Sequence, residues 1–81
     1  MNLAFTKVYR FEKPTISGNR WEHRFEKKIF QDGTFYINLN VSYFDKDQNL
    51  IKEKDYNGIS DIDFYNYLQE NEKYLIEEYS F

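Results

Sequence analysis

The chain of 81 residues has no cysteine, one histidine, one proline and three glycines. Without cysteine, neither a disulfide nor a thiolate zinc site can brace the fold. So few glycines leave no phosphate-cradling loop, and a single histidine excludes multi-histidine metal sites. No apolar run approaches the roughly 18 residues that span a bilayer. The first ten residues carry Lys7 and Arg10 and hold no cleavable apolar segment, so a cytoplasmic setting is the expectation. No cofactor or metal site is expected, and the chain reads as a non-enzymatic protein.

What is abundant is aromatic: Phe, Tyr and Trp make up 21% of the residues. A chain this short buries only roughly 60 to 65% of its unfolded surface, so large rings must supply most of one small core. Charged residues at 31% against 41% apolar exclude a disordered chain. The net charge of −3 conceals a gradient. Basic residues dominate up to about position 30, whereas beyond Ser60 a single lysine, Lys73, faces six carboxylates. Such asymmetry suits either a charged partner or attraction between the two ends in the fold.

Alternation of period two marks strands at about 3–12, 20–30, 34–45 and 49–56. In the third, Phe35, Ile37, Leu39, Val41 and Tyr43 share one face. Parity also decides the turn before it. A two-residue Asp32-Gly33 loop would set core residues opposite solvent residues, whereas a three-residue Gln31-Asp32-Gly33 loop pairs Ile29 with Phe35, Phe25 with Leu39 and Trp21 with Tyr43. After Asn57-Gly58 the period changes. Ser60 is a good N-cap, and Asp61 and Asp63 favour a helix start, so one helix is expected from about Asp61 to Tyr79. Its apolar side would gather Phe64, Tyr65, Leu68, Leu75, Ile76 and Tyr79. The expected fold is α+β in one domain, a four-stranded antiparallel meander with one C-terminal helix on one face.

Few motifs carry chemistry. His23 reads as a partly buried core residue. Asp45-Lys46-Asp47-Gln48-Asn49 opens like a calcium loop, but Leu50 stands where glycine is required and Tyr56 where a bidentate Glu is needed, so a hairpin turn is the better reading. Asn40-Val41-Ser42 matches a glycosylation sequon in mid-strand and is taken as chance.

Two surfaces remain as candidates. On the projected helix, Asp63, Tyr67, Glu70, Tyr74 and Glu77 form a column of acids and tyrosines, with Glu78 alongside. Glu77 and Glu78 would oppose the helix dipole, so local stability does not explain them. Rings flanked by carboxylates suit docking on a host or cognate protein with a basic surface. The second candidate is the outer sheet face, where Arg10, Arg20, Arg24, Lys28, Lys52 and Lys54 are expected among Tyr36, Phe44 and Tyr56. Cations interleaved with rings are what single-stranded nucleic-acid binders use.

The order of four antiparallel strands and a C-terminal helix, with Trp21 opening the second strand, resembles the small transcriptional coactivator family, whose dimers bind single-stranded DNA on the sheet. The resemblance is one of topology and carries over no binding residue. The leading expectation is therefore an inhibitor or regulator of the kind phages and mobile elements encode, with nucleic-acid binding as the alternative. Aromatic residues on both sheet faces, including Phe30, Tyr36 and Phe44, leave room for a homodimer.

Overall fold

A computed structural model describes residues 2–81. The fold is α+β, with an antiparallel sheet and one α-helix. The strands are β1 (Leu3–Pro14), β2 (Arg20–Phe30), β3 (Phe35–Phe44), β4 (Leu50–Asn57) and β5 (Leu75–Ser80). The helix α1 (Asp61–Glu70) and a short 3-10 turn (Glu72–Tyr74) lie between β4 and β5. The sheet has five strands, ordered β4-β3-β2-β1-β5, instead of the four expected.

The three hairpin turns repeat one geometry every fifteen residues. In each, a backbone pair closes the loop at its ends, Thr15 with Asn19, Phe30 with Thr34 and Asp45 with Asn49. The last loop residue takes positive φ: Gly18 at 84°, Gly33 at 88° and Gln48 at 70°. This is the three-residue loop in which a left-handed residue restores the strand twist. The β2–β3 register is the one parity demanded, with Ile29 opposite Phe35, Phe25 opposite Leu39 and Trp21 opposite Tyr43. The would-be calcium loop is a turn of this type. Asp45 turns its own carboxylate back onto the backbone N–H groups of Asp47 and Asn49, both at 2.9 Å. Those N–H groups, Asn49 foremost, hold the Asp45 carboxyl below its ordinary pKa.

The expected helix from Asp61 to Tyr79 ends nine residues early. Its start is as the sequence implied, with the Ser60 hydroxyl accepting the Asp63 N–H at 3.1 Å. Its end is set by Asn71, which is buried and donates both its backbone N–H and its side-chain Nδ2 to the Tyr67 carbonyl, each at 3.0 Å. Beyond it the chain extends as β5 and pairs antiparallel with β1, with a bulge between Arg10 and Phe11. Glu77 and Glu78 thus sit on a strand, where no helix dipole opposes them and each meets a cation. Glu77 lies 2.6 Å from Arg10, and Glu78 lies 3.7 Å from Lys7.

A second correction concerns β4. A register shift between Tyr43 and Phe44 makes Leu50 face Phe44 and Lys52 face Tyr43, leaving Ile51 as the extra residue. A one-residue slip sends every later side chain to the other face. Lys52, Lys54 and Tyr56 therefore lie on the helix side of the sheet, not on the outer face.

The core forms where α1 crosses the sheet. Tyr9, Phe11, Phe25, Ile37 and Phe64 are buried together, with Tyr67, Leu68 and Leu75 packed against them. The helix buries Phe64, Tyr67, Leu68 and Asn71, an i, i+3, i+4, i+7 stripe. The stripe is rotated from the expected one, so Tyr65 is 59% exposed and Tyr67 is inside. Edge-to-face contacts join Tyr67 to Phe11 and Phe64 to Tyr9, with centroids 4.9 Å and 5.0 Å apart. On the opposite face Val8 is fully buried and pairs with Tyr79, which the helix reading had placed in the main core.

Candidate functional site

Neither surface expected from the sequence forms as drawn. Of the acid and tyrosine column, Asp63 and Glu70 stay exposed on α1, but Tyr67 is half-buried against Phe25 and Tyr74 is half-buried beyond the helix end. Glu77 and Glu78 stand on β5, on opposite faces of the sheet. A continuous acidic helix face is absent because its lower half is not helical.

On the outer face the guanidinium groups are occupied. Arg10 is held between Glu22 and Glu77, each at 2.6 Å. Hydrogen bonding to Glu22 raises its pKa further. Arg20 has Glu12 at 3.6 Å and Glu22 at 4.0 Å, and its guanidinium lies over the Phe44 ring. Arg24 donates to Glu26 at 3.0 Å. Lys28 and Tyr36 remain as paired neighbours near the β2–β3 turn. Each of these three arginines thus has a carboxylate on its own or a neighbouring strand within 4.0 Å.

The cations and rings that are brought together lie on the other side. The register sets three parallel rows across the helix side of β1, β2, β3 and β4. They are Lys13-Trp21-Tyr43-Lys52, Phe11-His23-Val41-Lys54 and Tyr9-Phe25-Leu39-Tyr56. Helix α1 crosses these rows obliquely. It enters beside Ile37, whose carbonyl accepts the Ile59 N–H at 2.8 Å, and leaves toward Phe11, which pairs with Leu75. The crossing covers Tyr9, Phe11 and Phe25 and leaves the β3–β4 half of the rows open. A hollow of about 470 Å³ remains there, lined by Lys13, Trp21, His23, Leu39, Val41 and Tyr56.

Leu39 and Val41 form its floor. Trp21 stands at one end with the Tyr43 ring 4.4 Å away, and Tyr43 is fixed by a 2.9 Å hydrogen bond from the Asn19 side chain. Tyr56 closes the other end, four residues along and two strands across from Trp21, about 16 Å by strand geometry. The inner wall is His23, whose Nδ1 lies 2.5 Å from the Tyr67 hydroxyl. Burial, then the nearby Lys13 ammonium, hold His23 below its ordinary pKa, and burial pushes the Tyr67 hydroxyl up. Both are neutral near pH 7.

Around the hollow, Lys52 lies 5.3 Å from the Trp21 ring and Lys13 lies 5.1 Å from the Tyr67 ring. Lys54 lies 5.0 Å from the Tyr56 ring. Among the described residues, ion pairs involve Lys7, Arg10, Arg20, Arg24 and Lys27, so these three lysines keep their charge uncompensated by a neighbouring carboxylate. The sequence did name Lys52, Lys54 and Tyr56, but on the wrong face. What moves them is the slip after Leu50, which the sequence of β4 alone does not signal. Lys13 and Trp21 were missed as site residues because a complete helix cover was assumed.

Among the described residues, no three His, Cys, Asp or Glu side chains come together as a metal-ligating group, and no helix is long and apolar enough to cross a membrane. Comparison of the chain with protein-family models, curated proteins and solved structures finds no match.

Proposed function

We propose that this is a non-enzymatic binding protein whose open half-face takes single-stranded nucleic acid. The observation that carries the reading is the coincidence of the half-buried Trp21 and Tyr43 and the exposed Tyr56 with three lysines that, among the described residues, have no carboxylate partner. Rings accept stacked bases at about 1 to 3 kcal/mol each, and the lysines answer the phosphates between them. A duplex is a poorer fit, because the rings need unpaired base faces and the hollow lies below the flank of α1.

Trp21 is the sole tryptophan, so its fluorescence reports on the site. Titration with a single-stranded oligothymidylate at low salt should quench it. The Lys13→Ala, Lys52→Ala, Lys54→Ala triple variant should weaken binding, whereas Lys28→Ala should not. Absence of quenching at low salt would overturn the reading.

The expectation of an inhibitor or regulator of phage or mobile-element type keeps one physical basis. On the outward side of α1, Ile62 is 73% and Tyr65 59% exposed, beside the exposed Asp61 and Asp63. An apolar pair rimmed by acids suits a protein with a basic surface. An Ile62→Asp, Tyr65→Ala variant that still captures the same protein from host lysate as the parent discards this second reading.

A further inference from the structure

A second cavity lies on the outer face, across the sheet from the aromatic hollow, with Leu39 bordering both. Two cross-strand rows build it, Arg24-Asn40-Asp55 and Glu26-Asn38-Asn57. All six side chains line a depression of about 300 Å³. Short asparagines on β3 and β4 form its base, while the longer Arg24 and Glu26 raise one wall. The size is at the lower end of small-ligand sites, enough for one ring and not for a polymer.

Three carboxamides, two carboxylates and a guanidinium present planar groups with donors and acceptors interleaved. Only part of that capacity is used internally. Arg24 donates to Glu26 at 3.0 Å, Asn40 Nδ2 donates to Asp55 at 2.8 Å, and the Asn40 oxygen accepts from Ser42 at 2.9 Å. Among the described residues, the Asn38 Oδ1 is a buried side-chain acceptor without a hydrogen-bond partner. A buried acceptor left unpaired is destabilising, and a bound donor removes that cost once the amide turns toward it. In the row beyond Asn38 on the same face stands Tyr36, 44% exposed, with its ring edge close over Gly58.

We propose that this cavity is a binding site for a saccharide ring. Adjacent hydroxyl groups each donate and accept, which matches the alternating amides and carboxylates, and the apolar C–H side of a sugar can rest on Tyr36. Other ligand classes fit less well. The lining sums to a negative charge, which disfavours an anion, and its polar walls disfavour an apolar molecule. A metal ion lacks the three clustered ligands it needs. The proposal does not depend on nucleic-acid binding, which would use the opposite face.

The test is a titration of isotopically labelled protein with glucose, galactose, mannose and N-acetylglucosamine, following the side-chain amide signals of Asn38, Asn40 and Asn57. At least one sugar should give saturable shifts at these amides and none at the Trp21 indole. An Asp55→Asn, Asn57→Ala variant, at two exposed positions, should weaken that sugar about tenfold or more while its backbone spectrum stays folded. No saturable shift with any of the four sugars, or shifts that persist unchanged in the variant, would overturn the proposal.

Discussion

The hydroxyl of Tyr67 on α1 lies 2.5 Å from Nδ1 of His23 on β2, and this bond ties the helix to the sheet at the border of the open hollow. Tyr67 also packs on Phe11 and Phe25. Tyr67→Phe keeps the ring and leaves the imidazole without its partner, so it should cost about 1 to 2 kcal/mol. Tyr67→Ala also removes the ring from the core and should cost about 3 to 5 kcal/mol. Urea unfolding monitored by circular dichroism checks both. An exposed Tyr67, as a continuous helix would have presented it, requires both substitutions to be nearly neutral.

The same histidine makes stability depend on pH. Its folded pKa lies below the ordinary value of 6.5, so the unfolded chain takes up the proton first as pH falls. The contribution is therefore fully present above that value, declines as pH drops through 6.5 toward the lowered folded pKa, and changes no further below it. Lys13, near both His23 and Tyr67, adds to the depression. Melting temperature measured from about pH 7.5 to 5 should fall, and His23→Gln should flatten that segment of the curve.

The third hairpin departs from the other two at one position. Gln48 holds φ of 70° where Gly18 and Gly33 hold 84° and 88°. A side chain in the left-handed region costs about 1 kcal/mol, part of which the freedom of an unfolded glycine offsets. Gln48→Gly should stabilise the protein by about 0.5 kcal/mol and raise the melting temperature by about 2 to 4 °C. Gly33→Gln should do the reverse.

If three lysines meet phosphates in the hollow, salt must weaken binding in proportion. For single strands each neutralised phosphate contributes about 0.7 to the slope of log affinity against log salt, so the parent should show a slope near about −2. Each of Lys13→Ala, Lys52→Ala and Lys54→Ala should lower its magnitude by about 0.7. Trp21 quenching at several salt concentrations measures it.

Much of the sheet was legible because side-chain alternation carries register. Parity alone chose the Gln31-Asp32-Gly33 loop and its pairs. The end of the helix was not, although Asn71 followed by the Tyr74-Leu75-Ile76 run offered a competing strand. The misplaced charges of Glu77 and Glu78 signalled that the segment was not helical, and reading them as partner-binding residues turned a structural clue into a functional one. The slip at Ile51 was hidden for another reason. A bulge keeps local alternation intact on both sides and shows only when the partner strand is known. The candidate site depended on both features, so its residues were visible in the sequence while their assembly was not.

The pairing of β5 with β1 has a consequence for the order of events during synthesis. Thr6 and Phe81 exchange backbone hydrogen bonds of 2.8 and 2.9 Å, yet nearly the whole described chain separates them. Strand β1 is therefore made before β5 and keeps one side unpaired until β5 follows and docks. During that interval β1, with the buried Val8 not yet covered by Tyr79, is the surface on which nascent chains can join edge to edge. Pairing with β5 replaces that long open edge with a shorter one that carries Glu77 and Glu78.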